Sequence, residues 1–390
     1  MKVIFIYQRG YVSEFPDEEN DAYWISGHTG MIARQLAERI RKINFESWRI
    51  DSNTKVYKEK KVRGVSCKIF PGVKIPIIGD FSFRMIRRIN KECDNNKVII
   101  HLGSLYNFKW VLLKILLPGK KIVASQFGDR PSKVEDLPFI KKIKRIVKNW
   151  ITKKVFIKRL DHCFVASILK MKYLINLHLK SQKISFPEIG TDTKLFFPID
   201  KKLAREQLNL PVNIKIIFYI GRFKEGKGTK EILNIFPKIR QNYPGAKLIM
   251  IGGRPGDRYW KKASEMKDTI LLGLTKYTLL PLYHNAADVF IRLDFLDEGP
   301  FSVGTNVFEA LCCNTPVVST TLKHLPAYIK NISKIGICPK SDRDIYSALK
   351  NIMDNPDDFK DCSKAIRKIY SWDNLGEKFA SVYLNIFNNM

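Results

Sequence analysis

Two cations in a glycine-punctuated turn carry the clearest chemistry in this sequence: Arg222 and Lys227 of Gly221-Arg-Phe-Lys-Glu-Gly-Lys-Gly228. A guanidinium offers a planar fork of donors to phosphate oxygens, and an ammonium offers a compact, mobile charge. The turn follows the apolar run Ile214–Ile220 and precedes an amphipathic segment that starts at Thr229. It therefore reads as the exit of a buried strand into a helix, and in open parallel sheets ligands bind beyond the carboxyl ends of the strands. The chemistry expected of it is a grip on a nucleotide diphosphate that needs no metal.

A second group lies in Asp294–Thr320, DFLDEGPFSVGTNVFEALCCNTPVVST. A polar loop with Gly299, Pro300, Ser302 and Gly304 leads into a helix expected over 304–313. Asn314 then stands where a left-handed residue ends a helix. The free amides expected at 304–307, including those of Thr305 and Asn306, make an anion site at a helix amino terminus. Glu309 lies one turn further in. A carboxylate there repels phosphate, so its natural partner is a pair of vicinal hydroxyls such as a ribose.

The elements that must hold these groups are those of a doubly wound α/β chain. In the first half, strands are expected at Lys2–Tyr7, Ser47–Asp51, Ser66–Ile69, Val98–Leu102, Lys121–Gln126, His162–Ala166 and Lys183–Phe186, with helices such as Thr29–Ile43 and Ser82–Glu92. A turn-rich connector, Pro187 to Pro198, precedes a second run. Its strands are expected at 214–220, 247–251, 269–272, 288–292 and 316–319, its helices at 229–241, 276–286, 304–313 and 342–353. Pro237 is expected to bend or shorten the 229–241 helix. The expected domains are 1–196, 197–370 and a terminal helix 371–390 that returns to the first. Two such domains leave a cleft between them, where ligands usually sit.

A chain of 390 residues with 45% hydrophobic residues suits two globular domains. Seven cysteines form no CxxC pair, and the six histidines are scattered, so neither a disulfide framework nor a metal site is expected. The sequence opens directly on a strand and holds no apolar run long enough to span a bilayer, which reads as a cytoplasmic protein. The net charge of +30 is uneven: residues 1–200 hold 39 Lys and Arg against 19 Asp and Glu. The excess peaks in FIKKIKRIVKNWITKKVFIKRL, residues 139–160, where Ile140, Ile143, Val147, Trp150, Ile151, Val155 and Ile157 interleave with lysines and arginines. A basic amphipathic helix of this kind suits an anionic membrane surface. A solvated face or, less favoured, nucleic acid are the alternatives.

Several stretches together resemble the family-4-type retaining glycosyltransferases of the GT-B fold: YIGRFKEGKGTKEIL, PGAKLIMIGG, LYHNAADVFIRLD, VFEALCCNTPVVST, YSWDNLGEKFASVY and the connector KISFPEIGTDTKLFFP. The resemblance is strong in the carboxyl half and weak in the amino half. It implies two Rossmann-like domains and transfer of a sugar from a UDP- or GDP-linked donor to a hydroxyl acceptor with retention of configuration. It also implies that no cofactor is needed. By it, Gly221, Arg222 and Lys227 hold the donor diphosphate and stabilise the leaving nucleotide, Glu309 holds the ribose, and Leu274 lies against the base. Gly30, in the turn Gly27-His28-Thr29-Gly30, matches the family's glycine loop near the donor phosphate.

This sequence departs from the family pattern at two places. Phe301 stands where the family usually has a glutamate, so either the loop is longer by three and Glu298 takes that role, or the role is absent. Gln126-Phe127 replaces a usual cleft histidine, leaving Gln126 to bond the sugar and His101 as the nearest histidine by position. Asp129 and Arg130 are candidates on the acceptor side. The basic first half suits an acceptor that is anionic or membrane-embedded, such as a lipid-linked glycan or a surface polysaccharide precursor. The rival readings are a GT-B enzyme that glycosylates nucleic acid and a catalytically inactive nucleotide-binding module.

Overall fold

The computed structural model describes residues 1–7, 21–25, 27–76, 78–105, 108–126, 139–166, 168–185, 190–295, 303–325, 335–339, 341–359 and 361–390. The chain divides into two compact units, Met1–Glu188 with Leu375–Met390, and Ile189–Asn374.

The first unit is a doubly wound sheet. Its strands are β1 (Lys2–Tyr7), β2 (Asn44–Asp51), β3 (Lys58–Val62), β4 (Val65–Pro71), the hairpin β5 (Val73–Ile75) and β6 (Gly79–Phe81), β7 (Val98–Leu102), β8 (Lys121–Gln126), β9 (His162–Val165) and β10 (Ile184–Ser185). Among the described residues the main sheet runs β10-β9-β8-β7-β1-β2-β4-β3. Its pairs are parallel except β3 with β4. β1 is a continuous apolar run because both of its faces are covered, and Val3, Ile4, Phe5 and Ile6 are all fully buried. The charged edge strand β3, Lys-Glu-Lys-Lys-Val, has no apolar alternation to reveal it. Edge strands use such charges to resist pairing with other chains.

The helices of this unit are α1 (Asp21–Trp24), α2 (Gly27–Arg39), α3 (Phe83–Asn95), α4 (Phe108–Leu116), α5 (Phe139–Ile151) and α6 (Ile168–Asn176). In α3, Ser82 caps the first turn by accepting from the Met85 amide at 3.3 Å, and Met85, Ile86 and Ile89 form the buried stripe. α5 corrects the expectation of one amphipathic face over 139–160. The helix ends at Ile151, and a π-helical turn (Thr152–Phe156) and a 3-10 turn (Ile157–Arg159) follow. There Phe156, Ile157 and Leu160 enter the core, while Phe139, Ile143, Ile146, Val147 and Trp150 stay exposed.

The second unit has strands β11 (Ile216–Ile220), β12 (Lys247–Ile251), β13 (Thr269–Gly273), β14 (Val289–Arg292), β15 (Val317–Ser319) and β16 (Gly336–Ile337). They form one parallel sheet in the order β13-β12-β11-β14-β15-β16. Its helices are α7 (Lys201–Gln207), α8 (Thr229–Asn242), α9 (Trp260–Glu265), α10 (Leu280–Ala286), α11 (Thr305–Cys312), α12 (Asp342–Asp354), α13 (Cys362–Tyr370) and α14 (Trp372–Asn388). The residues of α14 from Leu375 onward belong to the first unit. Alternate residues of β11 feed two cores, Ile216 and Phe218 on one face and Ile217 and Tyr219 on the other. Pro237 does not shorten α8, which continues to Asn242. Among the described residues no helix is long and apolar enough to cross a membrane.

Three histidines are built into these cores in the neutral form. His101 stacks on Phe5 with ring centroids 4.5 Å apart, and burial pushes its pKa down to about 3. Burial likewise lowers His284, packed edge-on to Phe218 and Phe290, to about 3, and His162 to about 4. A folded pKa below the unfolded value of about 6.5 gives stability that is present above that value and lost as pH falls. Each group contributes a slope of up to about 1.4 kcal/mol per pH unit. The buried carboxyl of Glu309, raised to about 7, works in the opposite direction and offsets one of the three. The urea midpoint is therefore expected to rise between pH 5 and pH 6.5. A flat or falling midpoint contradicts neutral burial of these imidazoles.

Candidate functional site

β11 lies inside the second sheet between β12 and β14, and the 221–228 turn leaves from its carboxyl end. The turn is closed from beneath by the side chain of Tyr219, which is fully buried. Its hydroxyl donates to the Lys227 carbonyl at 3.0 Å and the Arg222 carbonyl at 3.3 Å, and lies 2.9 Å from Thr229 Oγ1. The Thr229 hydroxyl donates in turn to the Arg222 carbonyl at 3.2 Å. Burial pushes the Tyr219 phenol up to about 12, so it remains a donor. Two glycines permit this closure. A Cβ on Gly221 would stand 2.4 Å from the Tyr219 hydroxyl, and Gly228 adopts φ 80° with Leu293 filling the space of its missing side chain.

Arg222 is exposed on the outside of the turn, whereas Lys227 is half-buried beneath it. Lys227 Nζ forms an ion pair with Asp294 Oδ2 at 2.7 Å. Burial lowers the pKa of the ammonium, and the Asp294 carboxylate partly restores it. Arg292, at the end of β14, places Nη2 3.7 Å from the same carboxylate oxygen and donates through Nη1 to the Ile220 carbonyl at 3.2 Å. Asn306, in the first turn of α11, donates to that carbonyl at 3.4 Å.

Gly304 caps α11 with extended backbone, followed by Thr305 and Asn306. Of the amides expected free there, that of Val307 bonds the Gly304 carbonyl at 3.0 Å, because the helix closes its first turn on itself. Asn314 takes the left-handed conformation, φ 62°. Glu309 is buried, 6% exposed, and its carboxylate accepts from the Tyr277 hydroxyl at 2.9 Å. Burial raises its carboxyl to about 7, with the Tyr277 bond pulling downward. Leu274, directly after β13, is 53% exposed, so it is a surface leucine and not a core one. The structure thus places Gly221, Arg222, Lys227, Gly304, Thr305 and Asn306 around the carboxyl ends of β11 and β14, and Glu309, bonded to Tyr277, in the same unit.

The first-unit candidates fare differently. Gly30 lies inside α2 and not in a turn before it, because the helix starts at Gly27. A Cβ on Gly30 would stand 3.1 Å from Ile25 Cγ1, so a side chain there fits only if Ile25 gives by a few tenths of an ångström. His101 is a core histidine. Nδ1 is 2.6 Å from the Tyr383 hydroxyl and Nε2 is 2.5 Å from Ser125 Oγ, so both nitrogens are used inside the unit. Its acceptor-side role is corrected on that ground. Gln126 ends β8, with its side chain outside the described residues. Glu298, Asp129 and Arg130 also lie outside the described residues. Sequence reasoning passed over Tyr219, Tyr277, Arg292 and Asp294. The signal for the last pair was two opposite charges two residues apart where an apolar strand ends.

Residues 200–369 match the family model described as "Glycosyl transferases group 1". That match lies within the second unit. The chain is also similar to D-inositol 3-phosphate glycosyltransferase of Mycobacterium leprae, 27% identical over 177 residues. The similarity covers 44% of this chain and 40% of the relative. The chain thus matches well under half the length of that curated relative. Over the whole chain the structure resembles sucrose-phosphate synthase from Thermosynechococcus elongatus, with TM-score 0.71 and 17% identity over 99% of this chain and 100% of that one. It also resembles Anabaena HepE in complex with UDP-glucose, with TM-score 0.69 and 11% identity over 99% and 100% of the two chains. At these identities the likeness shows the fold, which is GT-B.

The Tyr219 clasp makes a stability claim. Tyr219→Phe removes the hydroxyl that ties the turn and is expected to lower unfolding free energy by about 1 to 2 kcal/mol. Gly221→Ala is expected to cost more, since a methyl there displaces the ring. Urea unfolding of the two variants checks both the direction and the order.

Proposed function

We propose that this chain is a glycosyltransferase that moves a sugar from a UDP- or GDP-linked donor to a hydroxyl acceptor, with retention of configuration and without a metal. The observation that carries this reading is the juxtaposition of the Arg222/Lys227 turn with the amino terminus of α11, joined through the Ile220 carbonyl that accepts from Asn306, at the carboxyl ends of one parallel sheet. The cations would neutralise the diphosphate as the sugar leaves, and electrostatic stabilisation of a leaving group fixed in place lowers the barrier. Glu309 would take the ribose hydroxyls, with Tyr277 holding its carboxylate in place. Leu274 offers an exposed apolar surface to the base. A neighbour of the same fold was solved with UDP-glucose, which supports a nucleotide-sugar donor.

Thermal shift with nucleoside diphosphates and their sugars tests the donor site. A nucleotide at 100 times its Kd stabilises by about 2.7 kcal/mol. Arg222→Ala and Lys227→Ala are each expected to weaken binding and shrink that shift. If no nucleotide stabilises the wild type, the donor reading fails. Nucleotide binding with no hydrolysis or transfer across a sugar panel would instead favour an inactive module. The anomeric proton coupling of the product tests retention.

The acceptor we infer is anionic or membrane-embedded, such as a lipid-linked glycan or surface polysaccharide precursor. The charge excess of residues 1–200 supports this. So does a phosphorylated polyol in the name of the M. leprae relative. α5 would bring the protein to an anionic membrane. Phe139, Ile143, Ile146, Val147 and Trp150 recur at helical spacing along one exposed face, with Phe139 76% and Trp150 59% exposed. Such a face on a lysine-rich helix gains from both apolar insertion and lipid charge. The protein is expected to sediment with vesicles containing phosphatidylglycerol and not with neutral ones. Ile143→Asp with Trp150→Ser is expected to weaken that binding at least about tenfold. Salt-sensitive binding to duplex DNA or RNA without vesicle binding would overturn the membrane reading in favour of nucleic acid.

A further inference from the structure

Beneath the 221–228 turn, Arg292 Nε, Asp294 Oδ1 and Asn306 Oδ1 are buried without a hydrogen-bond partner among the described residues. Two of them are close neighbours, since a Cβ on Gly304 would lie 2.8 Å from Asn306 Oδ1 and 3.9 Å from Arg292 Nε. Asp294 is held rigidly. Its backbone amide donates to Thr320 Oγ1 at 2.8 Å, and the Thr320 hydroxyl donates to its carbonyl at 3.2 Å. Its side chain is 5% exposed, and two cations converge on Oδ2, with Lys227 Nζ at 2.7 Å and Arg292 Nη2 at 3.7 Å.

A buried carboxylate is a poor companion for a diphosphate, because like charges within several ångströms repel strongly where water is scarce. The same carboxylate occupies the Lys227 ammonium beneath the turn. We propose that Asp294 competes with the diphosphate for the Lys227 ammonium, and that Arg292 takes over the carboxylate when Lys227 turns to phosphate. The proposal rests on the diphosphate reading of Lys227 given above. Asp294 is then a positioning residue. It keeps Lys227 charged and ordered beneath the turn, and it reclaims the ammonium as the nucleotide leaves. Arg292 already lies near the oxygen that Lys227 would vacate, so the exchange strands no buried charge.

The test is calorimetric titration of the full chain with UDP, GDP and ADP. Asp294→Asn is expected to tighten nucleotide binding at least about fivefold, the scale of one nearby charge in a partly dry site. In a Lys227→Met background the same change is expected to do little, because the competition needs the ammonium. Arg292→Met is expected to weaken binding severalfold in the wild-type background and to lose that effect once Asp294 is Asn. Asp294→Ser, with its smaller side chain, repeats the first measurement in case the amide disturbs folding. Unchanged or weaker binding in both Asp294 variants overturns the proposal. Tightening that persists in full without Lys227 also overturns it, since simple repulsion would then suffice. If the wild type binds none of the three nucleotides, the diphosphate reading falls together with this proposal. Binding that ignores Asp294 removes this proposal alone.

Discussion

The hydroxyl of Tyr219 is the constraint on which the candidate donor site depends. It belongs to a fully buried side chain near the end of β11, where an unpaired polar group would be costly, and the backbone carbonyls of Arg222 and Lys227 satisfy it. Polar satisfaction in the core and the shape of the turn are therefore one requirement. Glycine at 221 follows because the ring fills the space of a side chain. Glycine at 228 follows because the chain must turn with positive φ against Leu293 to start α8. The two cations are presented by a loop whose backbone is anchored from within the sheet, and a rigid anchor suits charge stabilisation better than a free loop.

The charges around that turn are graded by depth. Arg222 is exposed, Lys227 is half-buried, and Asp294 is nearly sealed beneath them. Such a gradient lets the outer guanidinium meet an anion in water while the inner ammonium acts where screening is weak. Glu309 lies in the same unit, and its bond to Tyr277 ties it to the segment that follows β13. The first unit contributes charge of a different kind. Its excess of lysine and arginine is spread over its length, and α5 adds an exposed apolar row to it.

Much of the fold was legible in the sequence because buried parallel strands are unbroken apolar runs. β1, β7, β8 and β12 match their expected bounds residue for residue. The elements passed over lack that signal. β3 is a charged edge strand, and α7 and α9 are too short for their periodicity to stand out. The α5 region shows a different limit. Apolar spacing alone extended its amphipathic face through Ile157, but the backbone leaves α-helical geometry after Ile151, and the later side chains turn into the core.

The sequence by itself determined the strand–turn–helix at 216–242 and the glycine and cation pattern within it, because strand burial and turn chemistry are local properties of residue type. It likewise marked Gly304 to Glu309 as a helix start. Tertiary structure alone decided which histidines are core, since His101 is neutral through burial, beside the hydroxyl of Tyr383, 282 residues away in sequence. It alone showed that Lys227 shares Asp294 with Arg292 and that Glu309 is buried against Tyr277. Partners of a buried charge come from distant segments, and the free energy of that charge depends on them.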